Sequence, residues 1–225
     1  MIEPRSLFVH SCLLAAAAWF PLSAQEGPAA VPAAGGIGEN VVKAETPPAT
    51  VAPAAVAAVE KLGSEVVAGR YQITLDRMYP QWKDRLAKRA GGLDKLAEQL
   101  LKAPELLKSS GVALISSKPR GAPSVYEVGI GKKTETVNGR QVELMAYTKW
   151  LAIVPTATRM TISKDGKSRL VESLSFQVAI SNKNANDWTF IDGSSLSLPD
   201  LRSLFPTFPD VQLPAVEVRE IPLTQ

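Results

Sequence analysis

At Gly111 the hydrophobic period of this chain of 225 residues changes, and that change limits the fold more than any motif it carries. Upstream, apolar residues recur every three or four positions: Val56, Val59, Leu62, Val66 and Ile73, then Leu93, Leu96, Leu100 and Leu101. Such spacing gathers them on one side of a helix. Downstream the period falls to two. The stretch "RLVESLSFQVAIS" sets Leu170, Leu174, Phe176, Val178 and Ile180 on one side of a strand, and Val171, Ser173, Ser175, Gln177 and Ala179 on the other. This alternation predicts one buried face. Helices first and long strands afterwards predict an α+β domain, with N-terminal helices packed on a curved antiparallel sheet.

Local punctuation divides these halves further. Gly69 weakens the first helical stretch, by about 1 kcal/mol relative to Ala, and predicts a break or a close backbone contact there. Pro80 ends or kinks that stretch, a second helix runs from about Gln81 to Ala90, and Gly91-Gly92 separates it from a third that carries Pro104 and stops at Gly111. Strands are predicted from Val112 to Ser117 and from Ser124 to Lys132. Asn138-Gly139 is a hairpin signal, because both central positions of a type I′ turn need positive φ. The next run extends from Arg140 into Ile162, and Pro155 inside it must mark a bulge or an unpaired edge. Lys164-Asp165-Gly166-Lys167 is the next turn. "NDWTFIDG" reads as a short closing strand, Trp188 and Phe190 on one side and Ile191 on the other. The tail forms a helical turn around Pro199 to Phe205, then follows an extended path that packs back through Leu204, Phe205, Phe208 and Leu213.

The N-terminus reads as an export signal: Arg5, the apolar run Leu13 to Phe20, then Pro21-Leu22-Ser23-Ala24. The run is too short for a stable membrane span. Lipidation of Cys12 is the alternative to cleavage after Ala24. Residues 25–53, rich in Ala, Pro and Gly, read as a disordered linker, residues 54–193 as the α+β domain and 194–225 as an extension packing on it. His10 is the only His and Cys12 the only Cys. The domain therefore has no Ser-His-Asp relay, no Cys nucleophile, no imidazole or thiolate metal ligand and no disulfide. No cofactor is predicted. A formal net charge of +3 without a Lys/Arg-rich run disfavours a nucleic-acid partner.

"VVAGRYQITLDRMYP", "WLAIVPTATRM" and "NDWTFIDGSSLSLPDLRSLFPTFPDVQLP" resemble a group of exported bacterial proteins related to the nuclear transport factor 2-like superfamily. The resemblance covers about Ala54 to Pro214 and implies a cone of helices against a bent sheet. Members include polyketide-cyclase-like enzymes, ketosteroid isomerases and non-catalytic modules, so the fold does not settle the function.

Among polar residues, Glu172 interrupts the apolar face of its strand. Unpaired and desolvated there, its carboxyl pKa would rise toward that of a general base; at a wetted rim, or paired with Lys or Arg, it is a structural charge. Tyr126, Tyr147 and Trp150 lie on strands and either line a pocket or pack across strands. Asp76 and Tyr79, on the helix before Pro80, are candidates to face the cone mouth; Asp76, next to Arg77, is more simply a surface charge. Asp192 before Gly193 is read as an Asx-type turn or cap. The set Arg77, Lys83, Arg85, Lys88 and Arg89 either meets an anionic surface or is a solvated helix face. Three functions follow as expectations: an exported non-catalytic module binding a small ligand or an envelope protein through the cone or sheet face; a cofactor-free lyase or isomerase with Glu172 as base and a Tyr as donor; a structural unit that forms a homodimer.

Overall fold

The structure, a computed structural model, describes residues 45–137 and 139–222. The predicted export signal, Cys12 and most of the linker lie outside the described residues. Helix α1 spans Val51–Val67. It starts inside the stretch predicted as linker, because Pro53 falls in the first turn, where its missing N–H has no intrahelical acceptor to lose. Gly69, at φ +81°, provides the predicted break. A five-residue helix α2 (Gln72–Asp76) leads to α3 (Pro80–Ala90), with Pro80 as its first helical residue, and to α4 (Leu93–Ser109), which contains Pro104.

The apolar sides of these helices differ from the prediction. In α1 the buried residues are Val51, Ala55, Val59, Gly63 and Val66, a row of mostly small side chains, while Val56 and Leu62 are only partly buried. In α4 they are Leu96, Leu100, Ala103 and Leu107; Leu93 and Leu101 are half exposed. Small residues on α1 let its backbone approach the sheet closely. A Cβ at Gly63 would stand 2.5 Å from the carbonyl oxygen of Ser117.

The antiparallel sheet is built on two long central strands, β3 (Arg140–Lys164) and β4 (Lys167–Asn182). Their hairpin is a type I′ turn, with Asp165 at φ 53° and Gly166 at φ 73°. On the far side of β3 lie β1 (Val112–Pro119) and β2 (Ser124–Val137), end to end. The gap between them falls opposite Pro155, whose carbonyl accepts from Arg120 N at 2.7 Å. In an antiparallel strand a residue's N–H and C=O point to the same neighbour, so the N–H that Pro155 lacks faces this joint. That is how a central strand tolerates proline. Val137 pairs with Arg140, which leaves a two-residue turn; Gly139 is at φ +77°, and Asn138 lies outside the described residues.

On the far side of β4 lie β5 (Thr189–Asp192) and β6 (Glu217–Ile221), again end to end. Strand β6 has no counterpart in the sequence-based expectations. Four of its five residues are exposed, so no apolar alternation marks it. Between β5 and β6, Asp192 caps a short turn through Ser194, and α5 (Leu198–Leu204) opens with a capping box between Ser197 and Asp200.

Both faces of the sheet are buried over its middle, where the alternation predicted one. Val51, Ala55 and Val59 of α1 share a core with Trp150, Ala152, Val154, Ala179, Trp188 and Phe190. The opposite face, with Leu151, Ile153, Phe176, Val178, Ile180 and Ile191, shares a core with Met78, Tyr79, Trp82, Leu96 and Leu100 and with Leu201, Leu204, Phe205 and Phe208 from the C-terminal stretch. Trp188 and Phe190 thus point to one side of β5 and Ile191 to the other, as predicted. No helix among the described residues is long and apolar enough to cross a membrane.

Candidate functional site

The β4 face predicted to be open is the one that carries a cavity. Ser173, Ser175 and Gln177 lie directly across from Thr158, Thr156 and Val154 of β3, and Ser117 of β1 lies across from Thr158. Hydroxyl groups therefore form a continuous patch over three neighbouring strands. Helix α1 lies above it through Val59, Leu62, Gly63 and Val66, with Thr74, Met160 and Lys118 also in the wall and Asp192 at one end. The space, partly open to solvent, is ≈ 60 Å³. At 10–15 Å³ of such space per water, that is room for about four to six water-sized groups.

Some of the hydroxyls are already engaged. Ser117 Oγ and Thr158 Oγ1 stand 3.1 Å apart, and Thr74 Oγ1 donates to the Tyr71 carbonyl at 2.7 Å. Ser175 differs: its Oγ is sealed from bulk solvent and has no hydrogen-bond partner among the described residues. A buried polar atom without a partner costs stability, so it marks a place where something else is expected to bond. Asp192 accepts from Ser194 N at 3.1 Å and Ser194 Oγ at 2.7 Å, with Gln177 Nε2 at 3.4 Å. Burial raises its carboxyl pKa, against the opposing pull of the Ser194 bonds. The predicted Asx-type cap is present, and its carboxyl also faces the cavity.

On the opposite face of the same strand, Glu172 sits between Arg159 of β3 and Arg219 of β6, each directly across from it. Arg159 Nε donates to Oε1 at 3.0 Å; Arg219 donates to Oε2 from Nε at 3.0 Å and from Nη2 at 2.5 Å. Arg120 Nη1 stands 3.9 Å from Oε2. The carboxylate is buried, with its side chain 5% exposed, while the three guanidinium-bearing side chains are half exposed. Hydrogen bonds from Arg219 and then Arg159 outweigh desolvation and hold the Glu172 pKa below the ordinary carboxylate value. The paired alternative of the sequence reading is what the geometry shows. A raised, base-like pKa is not.

The other predicted site residues are scattered. Tyr126 packs edge-on against Phe208, ring centroids 5.0 Å apart, and Tyr79 lies against Phe205 at 5.3 Å, with burial raising its phenol pKa. Trp150 is buried under α1, with Lys183 Nζ 4.9 Å from its ring centroid. Tyr147 is half-buried on β3, and Asp76 is exposed, accepting from Gln72 Nε2 at 2.9 Å. Neither Glu172 nor any of these five residues lines the cavity. Of the basic set, Arg85 reaches Ser203 Oγ at 2.6 Å and Arg89 lies over Trp82.

The cavity residues escaped the sequence reading because Ser173, Ser175 and Gln177 look like a solvent face. The available signal was the coincidence of Thr156 and Thr158 on β3 with Ser173 and Ser175 on β4, which becomes visible once the hairpin at Asp165-Gly166 fixes the register. No protein-family model, curated protein or solved structure matches the chain.

Proposed function

We propose that this chain is an exported, non-catalytic binding module whose cavity beneath α1 takes a small, neutral, hydrogen-bonding molecule or the hydroxylated end of a larger one. The observation that carries this reading is the unpartnered Ser175 Oγ in a wall of Ser and Thr hydroxyls. Such a wall offers both donors and acceptors, and the carboxyl oxygens of Asp192 add further acceptors. Kinship with the nuclear transport factor 2-like superfamily belongs to the same proposal and is supported by the order of helices before an antiparallel sheet. Export rests on the composition of residues 1–24.

Binding is favoured over a lyase or isomerase because the base such an enzyme would use is neutralised. The partners of Glu172 are three arginines, and its proton affinity is lowered. Titration of the labelled protein with glycerol and erythritol tests the reading. Saturable amide shifts at Thr156, Thr158, Ser173 and Ser175, abolished by Ser175→Val, are expected. Shifts confined to other surfaces, or unchanged in Ser175→Val, would count against it.

A further inference from the structure

The charges around Glu172 do not balance. Arg120, Arg159 and Arg219 converge on one carboxylate, three cations against one anion at contact distance and a surplus there of two positive charges; Glu217, two residues from Arg219 on the same side of β6, is exposed and pairs with none of them. Among the described residues these arginines meet no second carboxylate. An ion pair that served folding alone needs one guanidinium, or two; crowding a third half-exposed cation onto the same oxygen adds repulsion between like charges. The surplus is also ordered. Arg159 and Arg219 are placed by strand register on either side of Glu172, and Arg120 leaves the β1–β2 joint, where its own backbone N–H is tied to Pro155.

Donors remain free as well. A guanidinium carries five N–H groups in a planar fork. Glu172 takes the Nε donor of Arg159, two donors of Arg219 and, at 3.9 Å, no hydrogen bond from Arg120. The remaining donors lie at side chains 50–55% exposed, on a stretch of sheet where Leu170 and Leu174 are only partly buried. Positively charged forks fixed from beneath by a buried carboxylate match a planar or tetrahedral oxyanion presenting several oxygens at once.

We propose that Arg120, Arg159 and Arg219, oriented by Glu172, form a binding site for a doubly charged phosphoryl group carried by a small soluble molecule, either inorganic phosphate or a phosphomonoester. Two negative charges match the surplus, whereas a carboxylate or a phosphodiester leaves one charge over. The site lies on the face of β4 opposite the hydroxyl cavity and does not depend on what that cavity binds.

Isothermal titration calorimetry of the full chain at fixed ionic strength, with chloride as the matching salt, tests this using inorganic phosphate and phenyl phosphate. One-to-one saturable binding of at least one probe is expected. If phosphate binds tighter, the site takes the free ion; if phenyl phosphate does, it takes an ester, and either result upholds the proposal. Arg120→Ala, which leaves every hydrogen bond to Glu172 in place, weakens the affinity about tenfold, and Arg159→Lys does the same by removing the fork while keeping the charge. Lys102→Ala, which removes a positive charge from the exposed Lys102–Glu98 pair on α4, leaves affinity unchanged. Unfolding midpoints of all variants confirm that they are folded. The proposal is overturned if neither probe binds, if Arg120→Ala and Arg159→Lys bind like the parent, or if the protein binds phosphatidylglycerol vesicles through these arginines without binding phosphate.

Discussion

Two polar patches lie back to back on the same few residues of β4, and their coverage is the reverse of what their surroundings suggest. Ser173, Ser175 and Gln177 belong to the more polar side of the strand, yet α1 covers them. Glu172 interrupts the more apolar side, yet there the sheet stays open enough for three arginines to remain half exposed. Burial is thus set by what packs above a face as well as by the residues in it. A helix with Ala55 and Gly63 on its inner row can descend onto hydroxyls, since Ser and Thr bond locally and need no bulk water. A charged triad cannot be roofed at acceptable cost, because desolvating its uncompensated cations would exceed any packing gain.

The difference can be broken most forcefully at Gly63. Replacing it with Val drives side-chain atoms into the backbone of Ser117, because even a Cβ would lie 2.5 Å from that carbonyl oxygen. Urea unfolding is expected to show a loss of about 3 kcal/mol, the upper end for overpacking; an unchanged midpoint would mean that α1 does not sit there. Glu172→Gln comes next, at about 2 kcal/mol, since it keeps the shape but leaves three cations facing a neutral amide. The Glu172 pKa is lowered in the folded state. Its stabilisation is therefore present above the unfolded value of about 4.3 and is lost as pH falls through the folded one, so parent and variant converge in acid.

Asp192 carries the opposite sign. Its folded pKa is raised, so its stabilisation is full below the unfolded value of about 3.9 and is lost as pH rises through the folded value. Asp192→Asn, which keeps a capping oxygen, is expected to be more stable than the parent at neutral pH and equal to it in acid. Opposed pH profiles for the two variants sharpen the contrast between the faces; parallel profiles would erase it. The smallest effect is that of Ser175→Ala. Deleting a buried hydroxyl that has no partner removes its desolvation cost, so stability is expected to rise, by no more than about 1 kcal/mol, measured by the same unfolding curves.

The period change at Gly111, the two turns with their glycines, the Asp192 cap and the sides taken by Trp188, Phe190 and Ile191 were legible because each depends on a few neighbouring residues. Pro155 was legible as an interruption, although its resolution as a joint between β1 and β2 depends on where two distant segments end. Strand β6 was hidden because Glu217, Arg219 and Glu220 carry no apolar alternation; its place comes from pairing with β4. The inner row of α1 was misread for a related reason. Ala55 and Gly63 bury little area themselves, and the approach of Ser117 to Gly63 is what shows why a small residue faces inward there. Glu172 stood out in sequence, but its three partners come from β3, β6 and a loop, and no spacing rule connects them.

Thiol labelling tests the reversed coverage most directly, because Cys12 is the only native Cys and single-Cys variants need only Cys12→Ser as background. Ser173 is 3% exposed beneath α1, whereas the Arg159 side chain is 55% exposed on the opposite face. With a maleimide reagent, Arg159→Cys is expected to react at the rate of an unfolded thiol, and Ser173→Cys only when urea unfolds the chain. Fast labelling of Ser173→Cys in the native protein, at a rate equal to or above that of Arg159→Cys, would contradict the account.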